Sequence, residues 1–356
     1  MKEIQVNSQN SNYRIYIDTD FDEFYSLIEK YRDRKIFLVT DDIVYKLHGN
    51  TIHEFEEKIS CKSFCFPHGE ENKSVDTVTR IYDFLLKNGA NRESVLIGIG
   101  GGLVGDIAGF TASTYMRGIK FINIPTTMLS QIDSCIGGKV GYNFGGVKNL
   151  IGNFFDPEFV YVCPYFLNTL GDMQFKDGLG ELVKYGIIDS EQFFSYIYDN
   201  SDSILSRDKD VLLYVIERCL NIKKNVVTKD FRDTGLRNIL NFGHTVGHAV
   251  EVSSDFSISH GEAVALGSLA ALKLSEYKLN ISPDIYISAL TLLKKLGLST
   301  TYKIEDYPSF LYAIRHDKKN DASIRFVLVE GIGKYRIKVK VEEEEINRAL
   351  RESIDN

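Results

Sequence analysis

No run of 18 apolar residues occurs in the 356-residue sequence, which excludes a membrane-crossing helix on length alone. The N-terminal MKEIQVNSQN also lacks the apolar stretch of a secretory signal, so the sequence predicts a soluble, cytoplasmic protein without a membrane partner. Cysteine is scarce. Cys61, Cys65, Cys135, Cys163 and Cys219 form no CxxC pair and are odd in number, which predicts reduced thiols rather than a disulfide framework. A basic excess is missing too: the formal net charge of −7 argues against a nucleic-acid partner. Such a chain can hold a small anion only by gathering cations locally. Low-complexity tracts and internal repeats are absent, and the length favours two domains.

What is present changes character partway along. Lys35–Thr40, Ser63–Pro67, Ser94–Gly100 and Lys120–Thr127 read as short buried strands, separated by helical stretches such as the one ending at Gly89. That alternation predicts a mostly parallel α/β sheet. From Gly178 to about Arg315 helical patterns dominate, followed by a hairpin turning at Gly331–Gly333 and an acidic helix. The boundary between the two textures falls near 165–172, giving domains of 1–170 and 171–356.

The run IGIGGGLVGDIAGF holds a GxGxxG, Gly100 to Gly105, after a strand and before a helix. Glycines there let backbone N–H groups approach a pyrophosphate at a helix N-terminus. The acidic residue expected about 20 positions later in the ordinary dinucleotide fold is missing, since that region is Lys120. Asp106 can instead face ribose or cap the helix. Asp41 and Asp42 end one strand and Thr126–Thr127 another, which fits a dinucleotide crevice at one sheet edge. Ile132–Gly152 reads as a glycine-rich loop carrying Asp133, Lys139, Asn143, Lys148 and Asn149, with Cys135 a candidate alkylation-sensitive thiol.

Three of the seven histidines, His244, His248 and His260, lie within 17 residues. The first two, four apart, share one face of a helix. Glu181 and Lys184 stand three apart in an otherwise apolar helix; an ordinary surface ion pair would explain that spacing, but the apolar neighbours suggest burial. A buried carboxylate wants a cation, and Glu181 with two of the histidines would make a three-ligand metal site with positions open for substrate. Lys139, Lys148, Lys184, Lys223, Arg237 and Lys318–Lys319 supply the cations an anionic substrate needs.

The ordered segments GGGLVGDIAGFTASTYMRG, IPTTMLSQIDSCIGGKVGYNFGGVKNLIG, GELVKYG, GLRNILNFGHTVGHAVE, HGEAVALG and DKKN…RFVL resemble the 3-dehydroquinate synthase family from about Asp41 to Arg325. The resemblance implies an N-terminal dinucleotide-binding α/β domain, a mainly helical C-terminal domain and an active site in the cleft between them. It implies that Glu181, His244 and His260 hold zinc or cobalt, while His248 lies with Asn241, Lys139 and a lysine of DKK, Lys318 or Lys319, near the substrate phosphate. Lys184, Lys223 and Arg237 would hold ring hydroxyls and carboxylate, with Asp133 also at the site. NAD would lie against Asp41 or Asp42, Glu70, Lys73, Gly101, Gly102, Leu103, Val104, Gly105, Asp106, Thr126, Thr127, Lys139, Lys148, Asn149, Phe166, Leu167, Asn168 and Thr169. Arg117 would reach across a homodimer. The implied reaction, in the shikimate pathway, converts 3-deoxy-D-arabino-heptulosonate 7-phosphate to 3-dehydroquinate and phosphate. It proceeds by transient NAD oxidation, phosphate elimination, re-reduction and intramolecular aldol closure. Rival readings are another sugar-phosphate cyclase, a metal-dependent polyol dehydrogenase and a non-catalytic metabolite binder.

Overall fold

In the computed structural model, residues 1–233, 235–315 and 324–355 are described. They divide into two units, Met1–Leu170 and Gly171–Asn356. The first opens with strands β1 (Lys2–Asn7) and β2 (Asn12–Ile17), then α1 (Asp22–Ile28), β3 (Ile36–Asp41), α2 (Asp42–Lys58), β4 (Lys62–Phe66), α3 (Val75–Lys87) and β5 (Val95–Gly100). It continues with α4 (Gly102–Thr114), β6 (Lys120–Pro125), β7 (Lys139–Phe144), β8 (Val147–Phe154) and β9 (Phe159–Val162). Seven strands form one sheet in the order β1-β2-β9-β6-β5-β3-β4, parallel except for β1 on β2.

Every residue of β5 is buried because both faces of the sheet are covered, which is why its sequence reads as a continuous apolar run. Adjacent residues serve opposite cores: Leu38, Ile97 and Ile122 pack on one side, Phe37, Leu96 and Phe121 on the other. Helix α3 ends where Gly89 takes a left-handed φ of 68°, a conformation that costs glycine little. The chain leaves β3 toward β4 on one side and leaves β5 toward β6 on the other. The carboxyl ends of β3 and β5 therefore flank a topological switch, the place where open α/β sheets bind ligands.

Two elements differ from expectation. The sheet begins with the β1–β2 antiparallel hairpin, and the stretch expected as a loop, Ile132–Gly152, is mostly the hairpin β7–β8. Val140 and Tyr142 alternate inward, and the Tyr142 ring meets Phe110 of α4 edge-on at 5.0 Å. Gly141 and Gly152 pair across the hairpin so closely that neither has room for a β-carbon. Their lack of side chains erases the period-two signal that marks a strand.

The second unit carries α5 (Asp172–Asp189), α6 (Glu191–Asp199), α7 (Ser201–Leu205), α8 (Lys209–Lys229), α9 (His244–Ser253), α10 (His260–Leu279), α11 (Pro283–Lys295) and α12 (Tyr307–Arg315). The hairpin β10 (Arg325–Gly331) and β11 (Lys334–Lys340) follows, then α13 (Glu343–Ser353). Helix α10 is buried along most of its length, and Ser275 fastens β10 to it by accepting the Val329 N–H at 3.0 Å. No helix among the described residues is long and apolar enough to cross a membrane.

Candidate active site

Three helices of the second unit deliver one charged centre. Glu181 lies within α5, His244 is the first residue of α9, and His260 is the first residue of α10. Backbone contact sets their convergence. A β-carbon at Gly180 would stand 3.0 Å from the Gly261 Cα and closer still to its carbonyl; one at Gly261 would stand 2.6 Å from the Asp177 carbonyl carbon. So α5 and α10 touch without intervening side chains directly beside two of the three residues. Gly243, with φ of 80°, turns the chain into α9 and places His244.

The Glu181 Oε1 lies 3.3 Å from His244 Nε2 and 3.4 Å from His260 Nε2. Two ligands bound at about 2.1 Å in tetrahedral geometry stand about 3.4 Å apart, so the spacing suits one zinc-sized ion. Glu181, His244 and His260 each offer a ligand atom within 4.8 Å of the others. The outer nitrogens are already engaged: His244 Nδ1 donates to the Phe242 carbonyl at 3.2 Å, and His260 Nδ1 lies 3.3 Å from Glu251 Oε2. Both Nε2 atoms therefore face the centre. Burial would raise the Glu181 carboxyl, but Lys184 and the two imidazoles outweigh it and hold that carboxyl well below the usual carboxylate range. Burial pulls His244 down to about 4, with Glu181 opposing. His260 rises to about 10 against its burial, because Glu181 and Glu251 both accept from it. In the metal-free centre these contacts favour the charged form of His260.

The same unit buries cations, which are rarely buried without purpose. Lys184, Lys223 and Arg237 are all buried. Lys184 ion-pairs with Glu181 and donates to the Leu240 carbonyl at 3.0 Å, while Arg237 donates to the Phe231 carbonyl at 2.7 Å. Leu240 belongs to the short helical segment Leu236–Asn241, which also carries Arg237 and Asn241. The Asn241 Nδ2 is buried with no hydrogen-bond partner among the described residues, a donor left for something else. His248, one turn along α9 from His244, has its ring 5.5 Å from that of His244 and 6.4 Å from that of His260. It stands beside the three-residue cluster, outside it. Helical spacing alone would have paired His244 with His248; the structure pairs His244 with His260.

The first unit holds the other grouping. Gly101 caps α4 and offers no side-chain cap bond to the helix N-terminus. A narrow pocket there is lined by Gly101, Gly102, Gly105, Asp106, Ser134 and Lys139, among others. Lys73 is buried and donates to Asp106 Oδ2 at 2.6 Å and Asn149 Oδ1 at 2.5 Å, tying α4 to the β7–β8 hairpin. Glu70 joins this network by accepting from Asn143 at 2.8 Å. Thr126 bonds through its backbone to the Gly100 carbonyl, and Thr127 caps the following turn with Ser130.

Some of the other expected positions make structural contacts. Asp41 caps α2 by accepting from Val44 at 2.8 Å, and Asp42 accepts from the backbone and ring of His68. The side chains of Val104, Phe166 and Leu167 are in the core, so only their backbones remain for a ligand, while Leu103 is half-buried and Asn168 exposed. Thr169 pairs with His48 at 2.7 Å. Asp133 is half-buried in a helical turn; Lys139, Lys148 and Arg117 are exposed. Cys135 is buried, which counts against the reactive-thiol expectation, whereas Cys65 is exposed. Lys318 and Lys319 lie outside the described residues. Sequence reasoning gave no role to Glu251 or to the Gly180–Gly261 contact. The signal for Glu251 was its place seven residues after His244, on the same helical face.

A Glu–His–His centre on a buried carboxylate, buried cations in the same unit, and a glycine turn at a parallel-sheet switch define the class as a metal-dependent enzyme that binds an anionic ligand. Comparison narrows it. The family models for the N-terminal and C-terminal domains of 3-dehydroquinate synthase match residues 63–177 and 178–320. The 3-dehydroquinate synthase of Clostridium tetani (strain Massachusetts / E88) is 51% identical over 358 residues, covering 100% of this chain and 96% of that one. Among solved structures, 2-deoxy-scyllo-inosose synthase complexed with carbaglucose-6-phosphate, NAD+ and Co2+ superposes with a TM-score of 0.88 at 27% identity, covering 99% of this chain and 100% of that one. The 2-epi-5-epi-valiolone synthase of Streptomyces hygroscopicus subsp. jinggangensis 5008, with NAD+ and Zn2+ bound, shares the fold at a TM-score of 0.86, 23% identity and 96% coverage of each chain. The chain belongs to the 3-dehydroquinate synthase family.

Proposed function

We propose that the chain converts 3-deoxy-D-arabino-heptulosonate 7-phosphate to 3-dehydroquinate and phosphate, using NAD and one divalent metal, zinc or cobalt. The observation that carries this reading is the Glu181–His244–His260 centre with Lys184, Lys223 and Arg237 buried in the same unit. The donor set of one carboxylate and two imidazoles fits zinc or cobalt. The bare glycine turn before α4 fits a pyrophosphate. When bound, the metal supplies a Lewis acid for an alcohol oxygen and NAD a transient oxidant that is restored within the turnover.

The chain's own residues do the rest. Lys184, Lys223 and Arg237 hold the carboxylate and hydroxyls of the substrate, and being buried they act at low dielectric where their charges count for more. Asn241 presents its unpartnered Nδ2 as a donor, and His248, Lys139 and the DKK lysine complete the phosphate side. Asp106, held by Lys73, faces the cofactor's ribose. The protein works in the cytoplasm as a homodimer, with exposed Arg117 on a left-handed turn (φ 68°) as the residue reaching its neighbour. Light scattering on the purified protein tests that assembly.

The reaction is tested by supplying the heptulosonate phosphate and NAD, then following phosphate and NADH together. Phosphate release that requires both NAD and metal, with no accumulating NADH, is the expected result. NADH accumulating from glycerol without phosphate release would establish a polyol dehydrogenase instead.

A further inference from the structure

We propose that Glu251 is a positioning residue of the metal centre, fixing the His260 ring so that its Nε2 faces the ion. The proposal rests on the metal-centre reading above and goes beyond its three ligands. Glu251 is buried on α9, seven residues after His244 and three after His248, so all three side chains leave the same face of that helix. Its Oε2 lies 3.3 Å from His260 Nδ1. A carboxylate can only accept, so Nδ1 carries the hydrogen and Nε2 is directed toward the Glu181 Oε1, 3.4 Å away.

The two histidines are held differently. His244 donates from Nδ1 to a carbonyl two residues behind it, a bond made within its own turn. The Nδ1 of His260 is met instead by a side chain from another helix. The His260 side chain is 33% exposed, against 13% for His244 and 1% for Glu181. It is also the first residue of α10, whose N-cap Ser259 makes no side-chain cap bond. An imidazole so placed can turn about its χ angles unless another element holds it, and Glu251 of α9 is in position to do so. Helix α9 therefore supplies one ligand and the brace for another, linking both histidines to a single rigid element. A carboxylate behind a ligating imidazole also raises its basicity, and losing such a partner typically weakens metal binding by about 10–100-fold.

The test uses the full-length protein with Glu251→Leu and Glu251→Gln. Zinc affinity is measured by competition with a chromophoric chelator, and the His260 Nδ1 proton is followed by 15N-edited NMR on the metal-free protein. Expected are a zinc affinity weaker by about 10–100-fold and loss of the slowly exchanging Nδ1 proton in Glu251→Leu. Glu251→Gln, which keeps an accepting oxygen, should retain the proton and recover most of the affinity. Wild-type zinc affinity in Glu251→Leu would overturn the proposal, as would equal losses in both variants, because the role would then be charge alone. Failure of the metal reading shows separately, as a wild-type protein that binds no zinc while the Nδ1 proton still responds to Glu251→Leu.

Discussion

Replacing Gly180 with alanine inserts a methyl group where α5 and α10 meet backbone to backbone. The new carbon would sit 3.0 Å from the Gly261 Cα, and closer to its carbonyl, where carbon atoms normally approach to about 3.5–4.0 Å. No flexible side chain is available to move aside, so the helices must part by roughly 1 Å. Glu181 and His260 ride on those two helices, each one residue from the contact. Their present 3.4 Å separation would open beyond about 4 Å, too wide for one ion whose ligand distances tolerate only about ±0.2 Å. The overpacking itself should cost about 1–3 kcal/mol. Zinc affinity should fall by at least about 100-fold, at or beyond the upper end of an outer-shell loss. Chelator competition and urea denaturation of the same samples measure both effects. Gly49→Ala is the control: nothing lies within 4 Å of that β-carbon, so stability should hold or rise by about 0.5–1 kcal/mol with metal affinity unchanged. If Gly180→Ala binds zinc as tightly as the wild type, the backbone contact does not set the centre and the reasoning fails.

Other predictions concern the same groups. His260→Ala should lose its metal by elemental analysis, whereas His248→Ala should keep metal and lose rate; the reverse pattern would reassign the ligands. Lys184→Met leaves the buried Glu181 carboxylate without its ion-pair partner and should destabilise the metal-free protein by about 3–5 kcal/mol in urea, with a loss under about 1 kcal/mol refuting that role. The raised His260 pKa makes its contribution to metal-free stability complete below 6.5 and lost as pH rises toward about 10, so the difference between wild type and His260→Gln should shrink across that window. A bulky maleimide should label exposed Cys65 in the native protein and reach buried Cys135 only on unfolding; labelling in the opposite order would contradict the packing.

Much was legible from residue order alone. Apolar runs ending at Asp41, Gly100 and Pro125 announced parallel strands, because a strand covered on both faces must be apolar throughout. Glycines before α4 announced an anion site because their spacing is local. The β7–β8 hairpin was not legible, since Gly141 and Gly152 blank the alternation that marks a strand. Composition likewise showed that cations must gather somewhere in an acidic chain, and apolar neighbours announced the burial of Lys184, but nothing local showed that Lys223 and Arg237 would be buried too. The family resemblance already implied which histidine joins His244 and Glu181; what tertiary structure alone shows is how His260, and not His248, comes to stand with them. Sequence spacing measures distance along one helix and favours His248 as the partner of His244. The observed centre instead depends on α5 and α10 meeting at Gly180 and Gly261, residues far apart in the chain, and on Glu251 lying behind His260. Distances between helices arise from packing, and no local pattern encodes them.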